Sequence, residues 1–548
     1  MSQLSKPTGF LSALEILDFY KVGHKFQYPE GTQWVYSNWT PRSDKYMTKL
    51  EGIWDGKAVH YGIEGLVQQF LIDLFDETFF KVPKADAVGQ YSSLIDEALG
   101  SHVDTAHIEA LHDLGFLPLL IRSLPEGMRV PMRVPTTTIE NTLPDFYWLV
   151  NYVETLFSNS AWFASTVASI AWQYATLFRH YAESTGSPMD FCRWQGHDFS
   201  YRGVPNPYAA AGLSGHLLSF HGTDTVPAIR YLKTYYKGDE TFVGGSVPAT
   251  EHSVMCMGGM ETEIDTFKRL INQVYPSGIV SIVSDTWDFW DVVTNKARTL
   301  KDDIMARDGK VVFRPDSGDP ADILCGFPYV IFNSKTNRMM PSVHHMASHA
   351  VLCDHVAYFI DAATGKAYYT TPTFITTEVD PRVVKGAVQC LWEIFGGTQT
   401  SRGYRVLDSH VGLIYGDSIT LEVAQDILRR LEDKGFASCN VVFGIGSFTY
   451  QYITRDTLGY AIKATAGMVN GEYRELFKDP KTGDGMKKSA KGYLRVTQEG
   501  GELVLHDQQD RKDVQNFTDD LLEPIFMNGK RLRHTSLAEI RQRLWGEF

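Results

Sequence analysis

The sequence predicts an α/β fold built on a parallel sheet or barrel, and three observations predict it. Short, continuously apolar strands recur from about residue 190, each followed by a tight polar turn and, in several cases, by helical sequence. The four clearest are GIVSIVSDTWDF (278–289), VVFRPDSGDP (311–320), VGLIYGDSITLEVAQDILRRL (411–431) and NVVFGIGSF (440–448). Strands apolar on both faces and alternating with helices belong to parallel sheets or barrels. The second observation is chemical. Such folds bind ligands at the carboxyl ends of their strands, and here those ends carry Asp285, Arg314, Asp316, Gly416, Asp417 and Gly446. The third is a long aromatic-rich helical run over 145–183, where Leu149, Tyr152, Val153 and Leu156 recur at i, i+3, i+4 and i+7. Its aromatics read as core.

In chain order, residues 1–145 form a part of short mixed elements, and the helical run opens the core at about 146. The strand rhythm then runs to about 470, with an interruption at 324–397. There YVIF, VAYFI and AYYTTPTFITTEV, broken by NSKTN and DAATGK, read as an inserted β-rich element. A C-terminal part spans 471–548. No linker, repeat or low-complexity segment separates these parts, so the domains are expected to interweave.

The 548 residues are 43% hydrophobic, 13% aromatic and 21% charged, which is a packed globular composition and excludes a small binding module. The net charge of −13 argues against nucleic acid or an anionic membrane as partner, because both want a basic excess. Six cysteines with no CxxC pair read as reduced thiols. The N-terminus lacks a signal-peptide pattern and no apolar run approaches a membrane span, so a soluble cytoplasmic protein is expected. His344, His345, His349, Cys353 and His355 include i, i+4 spacing, but without a paired motif they read as surface and core residues, and no metal site is expected.

Several turns carry chemistry. Gly416-Asp417-Ser418 opens a helix and Gly444-Ile445-Gly446-Ser447 follows a strand, so both can aim backbone N–H groups at a phosphate. Tight turns explain either one alone; their recurrence at strand ends favours phosphate. Arg455, Lys463 and Lys478 are cations downstream for the same anion. In RPDSGDP, Arg314 can donate to an anion, and Asp316 can accept from ribose hydroxyls or hold Mg²⁺ through water. His252 follows Glu251, a carboxylate able to orient its imidazole for nucleophilic or proton-transfer work. HDFSYRG (197–203) and HGTDTV (221–226) offer Phe199 for stacking and Asp224 as an acceptor, which suits a planar heterocycle bearing an amide.

Together with DFYKVGHKFQYP (18–29), PEGMRVP (125–131), ENTLPDFYWLVNYVETL (140–156), SVPATEHS (246–253), SIVSDTWD (281–288), YGDSI (415–419), TRD (454–456), FKDP (477–480) and FMNGK (526–530), these segments resemble the nicotinamide phosphoribosyltransferase family of type II phosphoribosyltransferases. The resemblance runs through most of the chain. It implies an irregular α/β barrel core beside a second, mixed α+β domain built from N- and C-terminal segments, with 471–548 packing on 1–145. It also implies phosphoribosyl transfer from PRPP to nicotinamide with Mg²⁺, stimulated by ATP as an activating co-substrate, in a homodimer with shared active sites.

Residue by residue, the resemblance implies that Phe199 and Tyr20 sandwich the pyridine ring, with Tyr20 and Asp18 supplied by the other subunit. Asp224 would accept from the carboxamide, Arg314 and Asp316 would contact ring and ribose, and Ser246, Val247, Ser281 and Asp285 would line the pocket. Arg202, Gly416, Asp417, Gly446, Arg455, Lys463 and Lys478 would surround ribose, phosphate and pyrophosphate, and His252 would be the histidine that ATP phosphorylates. This chain departs from the family pattern in reading Gly446-Ser447-Phe448 where relatives run glycines, in Ala461 for a hydroxyl residue, and in a longer insertion between Pro320 and Arg405. Two other readings remain: a nicotinate phosphoribosyltransferase, disfavoured because Asp224 would repel a carboxylate, and a non-catalytic nucleotide-binding signalling protein.

Overall fold

The computed structural model describes residues 11–546 except 337, 340–356, 372, 374–375, 417, 447, 478–489 and 515–516. The histidines and cysteine at 344–355, Asp417 and Lys478 thus lie outside the described residues.

Six parallel strands make the barrel: Gly196–Asp198, Gly222–Thr223, Ser277–Val283, Asp308–Arg314, Val411–Tyr415 and Val441–Ile445. In space they run 222–223, 196–198, 441–445, 411–415, 308–314, 277–283, every pair parallel. A short strap closes the ring. Gly245 bridges Gly222 at one edge and Ala249 bridges Ser281 at the other, both in parallel register. The four strands read from sequence are thus present, joined by two pieces of three and two residues that carry too little pattern to read. The 32-residue helix Glu154–Thr185 packs across the barrel, with Phe178 stacked on Phe443 at 5.1 Å. Its other end meets the second layer, where Trp39 lies edge-on to Phe157. The aromatics of this helix that were read as core are core.

That second layer is a seven-stranded sheet ordered Glu472–Glu475, Ala461–Val469, Thr32–Thr40, Thr137–Asn141, Leu119–Ser123, Glu523–Met527 and Lys530–Arg531. Its pairings are antiparallel, and both ends of the chain contribute strands. The C-terminal share begins at residue 461, because Ala461–Val469 pairs along nearly the whole of Thr32–Thr40. A buried carboxylate ties the two ends together. Glu64 accepts from Arg533 Nε at 2.7 Å, Arg531 Nη2 at 3.1 Å, and the Thr535 backbone N–H and hydroxyl at 2.9 and 2.6 Å. A fully buried charge persists only when paired and hydrogen-bonded in this way.

The insertion is a five-stranded sheet ordered Arg338–Met339, Tyr329–Asn333, Ala357–Asp361, Ala367–Thr370, Thr376–Val379. Its β character stops there. Residues 381–395, read from sequence as part of the same β-rich element, form the helices Pro381–Lys385 and Ala387–Phe395. The Asp380-Pro381 pair starts the first helix as cap and first-turn proline, the Asp380 side chain accepting from the Arg382 N–H. The second buries Val388 and Leu391 in the main core. Among the described residues no helix is long and apolar enough to cross a membrane, and all five described cysteines are unpaired.

Candidate active site

The barrel is hollow. A cavity of about 440 Å³ runs through it, lined at the carboxyl ends of the strands by Phe199, Asp224, Ser246, Val247, Ser281 and Arg314, and deeper by residues such as Val312, Leu413 and Val442. These six predicted residues therefore share one chamber although they come from five separate stretches of chain.

Phe199 follows the first barrel strand, its N–H donating to Ile445 O at 2.8 Å. Beside it, the buried Asp198 accepts from Ser200 Oγ at 2.6 Å, Thr225 Oγ1 at 2.7 Å and Thr223 Oγ1 at 3.3 Å, fastening the ends of the two shortest strands. Asp224 follows the second strand. His197 Nε2 and Ser246 Oγ both reach its Oδ1, at 2.8 and 2.6 Å. Burial works to raise the Asp224 carboxyl, but the bonds from His197 and Ser246 and the charges of His197 and Arg314 hold it below the ordinary range, so it is ionised at neutral pH. Ser281 is buried and its hydroxyl has no hydrogen-bond partner among the described residues, an orphaned polar atom lining the cavity.

A second group sits where the strands of 277–283, 308–314 and 411–415 end. Asp285 Oδ2 accepts from the Asp316 N–H at 2.9 Å and Ser317 Oγ at 2.5 Å, while Oδ1 lies 3.2 Å from His252 Nε2. Burial opposes ionisation of Asp285, yet these donors and the His252 charge keep its carboxyl below the ordinary range. The carboxylate that orients His252 is therefore Asp285. Glu251, its neighbour in sequence, is instead bonded by Ser253 at the start of the helix His252–Gly258. Arg314 Nε lies 3.5 Å from Asp316 Oδ1.

The strands Val411–Tyr415 and Val441–Ile445 are each followed by a glycine, Gly416 and Gly446. A Cβ on Gly416 would fall 2.1 Å from Asp316 Oδ1, the tip of a side chain, and one on Gly446 would fall 2.7 Å from the Ser200 backbone nitrogen, so Gly446 requires glycine and Gly416 leaves the Asp316 carboxylate its place. Ser418 and Phe448 hold left-handed backbone at φ 59°, a strained conformation of the kind found at ligand clamps. Tyr174, from the long helix, donates to Ile419 O at 2.7 Å and lies 3.2 Å from Thr449 Oγ1, linking the two turns.

The remaining predicted residues are placed elsewhere. Tyr20 is 60% exposed beside Lys21 and His24, and Asp18 accepts from Thr155 Oγ1 at 2.8 Å. Lys463 stands opposite Asn38 in the antiparallel sheet, Arg455 lies 3.5 Å from Asp456, and Arg202 is exposed in the Tyr201–Gly203 turn. None of Asp18, Tyr20, Arg455 and Lys463 lines the cavity. Sequence reasoning passed over His197 and Asp198 as functional residues. The available signal was local: Asp198-Phe199-Ser200 is an Asx-turn pattern directly after a strand.

A hollow parallel barrel, with polar and glycine residues at its strand ends and an antiparallel layer from both chain termini, is the architecture of a type II phosphoribosyltransferase. The model of the nicotinate phosphoribosyltransferase family matches residues 194–524, and the chain belongs to that family, a family of pentosyltransferases. Among curated relatives, the nicotinamide phosphoribosyltransferase of Acinetobacter baylyi is 49% identical over 97% of both chains. That of Xanthomonas campestris is 29% identical over 96% of both. Of solved structures, nicotinate-nucleotide pyrophosphorylase from Pyrococcus furiosus has a TM-score of 0.52 at 13% identity, covering 99% of this chain and 97% of the other. Human nicotinic acid phosphoribosyltransferase has 0.50 at 15%, covering 96% and 93%. These two share the fold.

Proposed function

We propose that the protein transfers the phosphoribosyl group of PRPP to nicotinamide, giving nicotinamide mononucleotide and pyrophosphate. The observation that carries the choice of base is Asp224, an ionised carboxylate lining the cavity beside Phe199. A carboxylate accepts from an amide N–H₂ and repels nicotinate. The names of the bacterial relatives point the same way.

In the reaction the anomeric C–O bond breaks with its electron pair leaving on pyrophosphate, and the ring-nitrogen lone pair forms the new C–N bond. No proton moves, so no strong base is needed. The site must hold the base in line and neutralise the leaving group. Phe199 gives the stacking face, the Ser281 hydroxyl a spare polar contact, and Arg314 a cation beside the ribose position. Gly416 and Gly446, at the ends of their strands, receive phosphate. Asp316 would offer Mg²⁺ a hard oxygen donor, and the ion would supply charge neutralisation at pyrophosphate.

ATP stimulation is assigned to His252. With Nε2 held by Asp285, Nδ1 is the nitrogen left to carry a phosphoryl group, and the side chain is 48% exposed. Asp18 and Tyr20, which lie away from the cavity of their own chain, are assigned to the cavity of a second copy, making the site the property of a homodimer in the cytoplasm, and Arg455 and Lys463 are assigned to the phosphate and pyrophosphate. Purified protein given nicotinamide, PRPP and Mg²⁺ should release the mononucleotide and pyrophosphate in equal amounts. No product from nicotinamide, with product from nicotinate, would replace this reading by its nicotinate counterpart.

A further inference from the structure

Resting on the reading of Asp224 as the amide acceptor, we propose that His197 is the positioning residue that makes this site select an amide over an acid. It fixes the Asp224 carboxylate in one orientation and backs the Phe199 ring with the same imidazole. The argument begins with freedom. The terminal torsion of an aspartate is broad, and the Asp224 side chain is 45% exposed, so packing alone does not set its orientation.

Two donors set it, and both use Oδ1: His197 Nε2 at 2.8 Å and Ser246 Oγ at 2.6 Å. With Oδ1 occupied twice, Oδ2 takes no bond from the described residues and is the oxygen available to a ligand. The two donors differ in how firmly they are held. Ser246 is exposed and its hydroxyl also lies 3.4 Å from Val247 O, so it has an alternative acceptor. The His197 side chain is only 10% exposed, anchored on the barrel strand Gly196–Asp198. Its ring lies 4.5 Å from that of Phe199 at 36°.

An ionised carboxylate only accepts, so the contact requires a proton on Nε2 and selects that tautomer. One rigid group thereby sets the distance between the aromatic platform and the carboxylate oxygen, the two features that must register with ring and carboxamide together. Without it, Asp224 turns toward Arg314, whose charge already acts on it, and the repulsion that rejects nicotinate is partly discharged.

The test measures kcat/KM for nicotinamide and for nicotinate in the full-length protein and in H197A, H197Q, H197N, D224S and D224S/H197A. H197A should lower the nicotinamide-to-nicotinate ratio about tenfold or more, the factor carried by one charge-assisted hydrogen bond, mainly through a higher KM for nicotinamide. H197Q, whose amide N–H₂ extends to the place of Nε2, should restore most of the ratio. H197N, whose amide reaches only the place of Nδ1, should not, and this pair decides the matter if the alanine variant does not fold. In the D224S background H197A should change the ratio by less than about twofold, since coupled residues are not additive. If D224S collapses the ratio but the histidine variants leave it unchanged, His197 has no such role and Asp224 remains the reader. If D224S itself leaves the ratio unchanged, the amide-acceptor reading fails and takes this proposal with it.

Discussion

The space where a Gly416 side chain would stand is filled by Asp316: an added Cβ would lie 2.1 Å from its Oδ1. Two barrel strands thus end so close together that one must terminate in glycine for the other to present its carboxylate. Because the obstructing atom is the tip of a side chain, Gly416→Ala should fold. The carboxylate must then swing aside, and misplacement of about 1 Å at a reacting centre costs up to ~10²-fold in rate. Circular dichroism and kcat/KM on the same preparation check this; an alanine variant with unchanged turnover would remove Asp316 from the substrate's path.

His252→Ala should abolish ATP hydrolysis and the ATP-dependent gain while leaving slow basal synthesis, since the imidazole is assigned as a phosphate carrier and the transfer needs no base. An acid-labile phosphate assay reads it. Phosphate still incorporated in the alanine variant would move the assignment to another residue.

Much of this site was legible before the structure, for a physical reason. Buried parallel strands announce themselves by continuous apolar runs, and Asp285, Arg314, Asp316, Gly416 and Gly446 follow such runs directly. Gly196–Asp198 and Gly222–Thr223 are too short to show a period, and the strap that closes the ring pairs only at Gly245 and Ala249. The strand patterns alone therefore left a parallel sheet or a barrel open, and the barrel was expected from the family resemblance. Adjacency in sequence misled at His252, where Asp285 from the neighbouring strand takes the place assigned to Glu251. Phase also misled at 381–395, whose apolar residues continue the insertion in composition but face the core as helices.

Glu126 gives a pH signature outside the site. Its Oε1 accepts from the Glu64 N–H at 2.7 Å while Oε2 has no partner among the described residues, and complete burial, then the Glu64 charge, push its carboxyl well above the ordinary 4.5. A carboxyl raised in the folded state contributes stability that is complete below its unfolded value and lost as pH rises through the folded one. Glu126→Gln should therefore match the parent near pH 4.5 and be more stable at pH 8. Denaturant midpoints at the two pH values decide it; an equal shift at both would mean Glu126 does not titrate there.

If each site is completed by a second copy, Asp316→Ala and the pair Asp18→Ala with Tyr20→Ala should each be inactive alone and should complement when co-expressed. A mixed dimer then holds one site with both lesions and one with neither, and isolated mixed dimers should recover up to about half of parental activity. Well-folded homodimers whose mixture shows no recovery would mean that each chain carries a complete site.

The most direct measurement of the central claim is a competition. Nicotinamide and nicotinate at equal concentration, with limiting PRPP, Mg²⁺ and ATP, are given to the full-length protein and the two mononucleotides are quantified, so that their ratio is the ratio of kcat/KM. One unpaired or repelling contact in a closed pocket carries about 1–3 kcal/mol, and the product should be in excess as nicotinamide mononucleotide by about tenfold or more. A mixture dominated by nicotinate mononucleotide would contradict the account, because Asp224 as held by His197 and Ser246 would then not be the group that reads the base.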